Sequence, residues 1–109
     1  MIMKPPLQLY LKIANYCDYQ ERCTYEIRQK LNELEATSES KEQVIAQLEQ
    51  EGLLNDARFA ISYARGKFRV KKWGKIKIRY QLQQKLIPKD YITKALQLID
   101  DQEIGRAHV

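Results

Sequence analysis

Glycine and proline are scarce in this chain, four and three among 109 residues. A small β-sandwich or barrel needs more of both for its frequent tight turns. Cysteine is scarcer still. Cys17 and Cys23 are too few to frame a disulfide-held secreted scaffold, and they lack the second ligand pair of a zinc site. They read as two reduced thiols, one near each of two helix ends. The single histidine, His108, sits in the tail, where no Ser/His/Asp or Cys/His arrangement can form around it. Gly66 and Gly74 are isolated, so there is no glycine-rich phosphate loop. No apolar run approaches the roughly 18 residues of a membrane span. The start, MIMKPPLQLY, has prolines where a signal peptide would have its apolar stretch. These absences lead to the expectation of a cytoplasmic, non-enzymatic monomer with no cofactor, no metal and no membrane partner.

Hydrophobic residues make up 44% of the chain and charged residues 30%, a globular balance for one small domain or two very small repeats. The charge is unevenly placed. Residues 65–79, RGKFRVKKWGKIKIR, hold eight basic side chains and no acidic one, and the rest of the chain is net −3. The whole excess of +5 therefore comes from fifteen residues. A field so concentrated favours polyanions or an acidic protein face. The plainer alternative is a solvated helix face.

The apolar spacing predicts six helices. Pro5 and Pro6 open the first, with Leu7, Tyr10, Leu11, Ala14 and Cys17 inward and a break at Asp18–Tyr19. Thr24 is the expected N-cap of the second, whose buried stripe is Ile27, Leu31 and Leu34. EATSES is a loop ending at Ser40, which opens a capping box for a third helix with Val44, Ile45 and Leu48 inward, closed by Gly52. Asn55 or Asp56 caps a fourth helix running to about Lys72. Phe59, Tyr63, Gly66, Val70 and Trp73 share one of its faces, and the three aromatics are expected to be largely buried. Arg58, Arg65, Arg69 and Lys72 fall within about 60° of one another on a separate face. Gly74 precedes a fifth helix with Ile78, Leu82 and Leu86 (or the stem of Lys85) in the core, and with Lys75 and Arg79 sharing a face. Pro88 starts the sixth, which packs through Tyr91 or Ile92, Ala95, Leu96 and Ile99.

These helices form two sets of three, with starts near 5, 24 and 41 recurring near 56, 75 and 89. EIRQKL (26–31) aligns with KIRYQL (77–82) at an offset of 51. The expected fold is all-α: tandem three-helix repeats at 1–54 and 55–102, helix-turn-helix-like in each bundle. The last seven residues, EIGRAHV (103–109), are what GAG ATC GGA AGA GCA CAC GTC would encode, which matches a sequencing-adapter read, and they are expected to be a non-native tail.

YCDYQERCTYEIRQKL (16–31), GLLNDARFAISYARGKFRVKKWGKIKI (52–78) and QLQQKLIPKDYITKAL (81–96) resemble the bacterial RecX family over almost the whole chain. LLNDARFA followed by ARGKFRVKKWG is the most specific piece, close to the Bacteroidetes form. The resemblance implies tandem three-helix repeats. It also implies a regulator that binds the RecA filament on DNA, limits its growth and suppresses its recombination activities. Family members usually have three repeats, and this sequence carries two. The implied partners are the RecA filament and single-stranded DNA. The candidate contacts are Arg58, Arg65, Lys67, Arg69, Lys71, Lys72, Lys75, Lys77 and Arg79. The alternative function is a general helical nucleic-acid-binding module that uses the same basic stretch on phosphates.

Overall fold

Buried apolar residues in this chain recur at spacings of three and four, and each such stripe becomes one face of a helix. The computed structural model describes the backbone of residues 4–107 and the side chains of residues 4–99. It contains α1 (Leu7–Tyr19), α2 (Thr24–Glu33), α3 (Ser38–Gln50), α4 (Asp56–Arg69), α5 (Lys75–Gln84) and α6 (Lys89–Ala107). Among the described residues there is no strand, so the fold is all-α. The side chains of the tail residues 103–109, Arg106 and His108 included, lie outside the described part.

The chain divides into two compact units, Met1–Asn55 and Asp56–Val109, each built from three helices. The first is held by Ile13 of α1, Ile27 and Leu31 of α2, and Val44, Ile45 and Leu48 of α3, with Leu54 closing the cluster. The second buries Phe59, Ala60 and Ala64 of α4, Ile78 and Leu82 of α5, Ile87, and Ile92, Ala95, Leu96 and Ile99 of α6. No polar or charged side chain is buried among the described residues. Both cores are therefore hydrophobic throughout, each large aliphatic side chain contributing about 1.5–3 kcal/mol. Within the second unit α4 and α6 pack most extensively. Ala60, Ala64 and Ala95 present small surfaces on these two helices, which lets their backbones approach closely.

The 51-residue offset holds in three dimensions. α2 and α5 start and end 51 residues apart, and α3 and α6 start 51 residues apart. Buried positions repeat at the same interval: Ile13 and Ala64, Ile27 and Ile78, Leu31 and Leu82, Val44 and Ala95, Ile45 and Leu96, Leu48 and Ile99. The helix ends repeat too. After α2, Glu35 turns left-handed (φ 57°), and the Ala36 N–H donates to the Leu31 carbonyl at 3.0 Å. After α5, Leu86 does the same (φ 56°), and the Ile87 N–H donates to the Leu82 carbonyl at 3.2 Å. Both are Schellman closures, which satisfy orphan carbonyls of the last turn. α3 closes in the same way through Gly52 (φ 75°), the position anticipated for it.

Several boundaries and faces differ from the sequence expectation. α1 runs on through Tyr19, and its inward residue is Ile13, while Leu7 and Leu11 are exposed. The apolar residues of this helix span more than half of its circumference, so the wheel alone left its orientation open by about a quarter turn. Cys23, not Thr24, occupies the N-cap of α2, and its backbone N–H donates to the Glu26 carboxylate at 3.2 Å in a capping box. α3 begins at Ser38, because the Thr37 hydroxyl accepts from the Ser40 N–H at 3.1 Å and caps the helix earlier than Ser40 would. Leu86 is 73% exposed and Ile87 takes its place in the core, since the left-handed turn at Leu86 rotates the next side chain inward.

Candidate polyanion-binding surface

The basic stretch folds onto one corner of the second unit. It supplies the last turns of α4, the connection 70–74 and the first turns of α5. α4 ends at Arg69, three residues before the expected limit. Val70 is exposed and Lys72 lies past the helix in a left-handed conformation (φ 60°). The chain closes the helix by a longer loop here, the Trp73 N–H donating to the Lys67 carbonyl at 3.1 Å. Lys72 therefore does not belong to the α4 stripe, which consists of Arg58, Arg65 and Arg69.

Those three arginines lie within about 40° of one another on α4, opposite the side that carries Ala60 and Ala64. Lys67 lies about 160° round from both Arg65 and Arg69 and has a different role. Its ammonium sits 5.3 Å from the Tyr63 ring centre and 4.9 Å from that of Trp73. Lys77 approaches Trp73 from α5 at 4.4 Å, and Lys85 lies 5.9 Å from Tyr63. The aromatics form a series: Phe59 and Tyr63 are 5.5 Å apart between ring centres, and Tyr63 meets Trp73 edge-on at 6.4 Å. Phe59 is buried as expected. Tyr63 and Trp73 are only half-buried, because their outer faces are covered by lysine ammonium groups and not by apolar packing. Gly66, expected on the core face, is exposed.

The structure thus sorts the nine candidate residues into three groups. Arg58, Arg65 and Arg69 project from the outer face of α4. Lys67 and Lys77 flank Trp73. Lys71 and Lys72 lie in the connection, with Lys75 and Arg79 one helical turn apart on α5. Among the described residues, no carboxylate forms an ion pair with Arg65, Lys71, Lys72 or Arg79. The first turn of α5 has no acidic residue, so the positive end of its helix dipole adds to the same field. Two apolar residues that the core pattern passes over, Ile76 and Tyr80, stand exposed on α5 beside these cations. The available sequence signal was their position off the Ile78–Leu82 stripe. The described residues contain no group of three or more His, Cys, Asp and Glu side chains suited to a metal ion, and no helix long and apolar enough to cross a membrane.

Two three-helix units with segregated charge define a class: a tandem three-helix-repeat protein whose second repeat carries a cation-rich corner backed by aromatics. Known proteins narrow this class. The family described as "RecX, second three-helix domain" matches residues 55–96, which lie almost entirely in the second unit. The Regulatory protein RecX of Prosthecochloris aestuarii is 38% identical over 89 residues, covering 82% of this chain and 59% of that protein. The Regulatory protein RecX of Lactobacillus gasseri is 33% identical over 89 residues, covering 82% of this chain and 33% of that protein. A crystal structure of regulatory protein RecX superposes with a TM-score of 0.78 at 30% identity, over 84% of this chain and 46% of the other. The chain belongs to the RecX family. It spans about three-fifths of the first of these relatives and a third of the second.

Proposed function

We propose that this chain is a non-enzymatic regulator of RecA, which binds the RecA filament on single-stranded DNA and limits its growth and recombination activity. The observation that carries this reading is the cation-rich corner of the second unit, within the segment matched by the RecX second three-helix domain. Arg65 and Arg69 present planar guanidinium forks that engage phosphate or carboxylate through paired hydrogen bonds. The surrounding lysines add a long-range field that draws an anionic filament in.

The test is a titration into RecA-coated single strands with ATP turnover and filament length as readouts. The wild-type chain is expected to lower both. Arg65→Glu with Arg69→Glu is expected to abolish the effect at unchanged helical content. Charge reversal at Lys41 and Lys94, outside the corner, is expected to do little. Equal loss from both pairs would reduce the corner to a net-charge effect. Binding to DNA with no change in RecA turnover would replace this reading by general nucleic-acid binding.

A further inference from the structure

The outer face of α5 carries apolar side chains as well as charged ones. Ile76 is 87% exposed and Tyr80 is 56% exposed. Four residues apart, they form one continuous ridge, about 160° round the helix from the buried Ile78 and Leu82. Arg79 lies about 80° to one side of the ridge and Lys77 about 80° to the other. Neither cation is paired with a carboxylate among the described residues. The described surface therefore presents an apolar centre within a cationic rim.

The first unit supplies an internal control, because the offset of 51 gives each of these residues a counterpart on α2. Ile76 corresponds to Tyr25, which is half-buried, and Tyr80 to Gln29, which is polar. Arg79 corresponds to Arg28, which is held by Glu42 at 2.6 Å. Lys77 corresponds to Glu26, which accepts from the Cys23 backbone. The same helix position thus carries a polar, internally satisfied face in one unit and an apolar, cation-rimmed one in the other.

We infer that the Ile76–Tyr80 ridge of α5 docks onto a protein surface that has an apolar patch bordered by carboxylates. This rests on the function proposed above and deepens it: the ridge meets the protein component of the filament, and phosphate contact is left to residues outside the ridge. The chemistry separates the two partners. A phosphate backbone accepts hydrogen bonds and charge from arginine and lysine but gains nothing from an aliphatic side chain such as isoleucine. Exposed Ile beside Tyr loses its hydration cost only against another apolar surface. Cations at the rim select an acidic border and speed encounter.

The experiment compares wild type, Ile76→Ser with Tyr80→Ser, and Arg65→Glu with Arg69→Glu, all as full chains. Each is measured for binding to a bare oligothymidylate strand and to the same strand coated with RecA. Both residues of the ridge are exposed, so unchanged helical content by circular dichroism and an unchanged Tm are expected. Ile76→Ser with Tyr80→Ser is expected to weaken binding to the coated strand at least tenfold while leaving bare-strand binding within twofold. The arginine pair is expected to weaken both. Equal weakening on bare and coated strands by the ridge variant would assign the ridge to nucleic acid and overturn the inference. Undiminished binding to coated strands by that variant would overturn it as well, leaving the regulatory function standing. Failure of the wild-type chain to bind coated strands would instead remove the function on which the inference rests.

Discussion

The two units share one backbone plan and spend their polar chemistry in opposite ways. Residues 1–55 carry six basic and nine acidic side chains, and residues 56–109 carry thirteen and five. In the first unit charge is settled internally: Arg28 pairs with Glu42 at 2.6 Å, and Lys30 with Glu33 at 3.7 Å. One pair of equivalent positions makes the contrast sharp. In the first unit the guanidinium of Arg22 lies 3.7 Å from the ring centre of Tyr16, and its Nε donates to the Tyr16 carbonyl at 3.0 Å. Fifty-one residues on, ring and cation have exchanged places: Lys67 stands where Tyr16 was, and Trp73 where Arg22 was. A cation–ring contact stands near the end of both first helices, yet the second version lies in a stretch, residues 65–79, that has no acidic residue. Fold and charge pattern are thus separable, since the same core spacing tolerates either surface.

The largest expected effect tests whether the second core depends on its aromatic. Phe59→Ala removes a side chain only 4% exposed and should cost about 3–5 kcal/mol in denaturant unfolding. A loss under about 1 kcal/mol would mean that the packing around Phe59 is not what holds this unit. Next comes the electrostatic difference. If four to six cations of the corner reach phosphates, log affinity for single-stranded DNA should fall with log salt at a slope of about −3 to −4. A flat response would show that the second unit's charge is only solvated.

Smaller changes sharpen the comparison. Leu86→Gly and Glu35→Gly place glycine at equivalent left-handed positions (φ 56° and 57°). Each should raise stability by about 0.5–1 kcal/mol in thermal unfolding, because the β-carbon strain is relieved. Glu42→Gln removes the partner of Arg28, the counterpart of Arg79, and should change stability by less than about 1 kcal/mol because both groups are substantially exposed. Its informative readout is DNA affinity, which should rise slightly as the first unit acquires one unpaired cation. The smallest effect is in pH. Glu42 is held below the usual carboxylate range by its hydrogen bond from Arg28, and Glu51 by those from Tyr10 and Gln47. A depressed carboxyl contributes stability that is present above its unfolded pKa and is lost as pH falls through the folded one. Burial, with the bond to Glu51 second, pushes Tyr10 up to about 12, so the contribution of its protonated form is present below its unfolded pKa near 10 and lost as pH rises through 12. Amide exchange across a pH series should show the first unit loosening at both extremes, slightly and before the second.

Much of this was legible in the sequence. Ile27 and Leu31 on α2, and Ile78 and Leu82 on α5, recur at a spacing of four, so each pair marks one face, and the offset of 51 relates the two pairs. Pro88 and Gly52 marked a helix start and a helix end by backbone constraint alone. α1 was misoriented because its apolar arc is wider than the face a neighbour can cover, so tertiary packing and not periodicity chose Ile13. The end of α4 was overrun because nothing in FRVKKWG forbids helix. The break is closed by the Trp73 N–H on the Lys67 carbonyl, with Lys67 and Lys77 both near the indole, contacts that local propensity does not encode. For the same reason Lys72, expected on the α4 face with Arg58, Arg65 and Arg69, lies past the helix end.

Trp73 is the sole tryptophan of the chain, and the ammonium groups of Lys67 and Lys77 lie 4.9 and 4.4 Å from its ring centre. An indole's emission responds to nearby charge, so the protein carries its own optical gauge at the corner where anions would arrive. An anion that draws either lysine away alters the field on the excited ring. Occupancy can then be followed in the native chain without a label, and Lys67→Met or Lys77→Met would each recalibrate the signal separately.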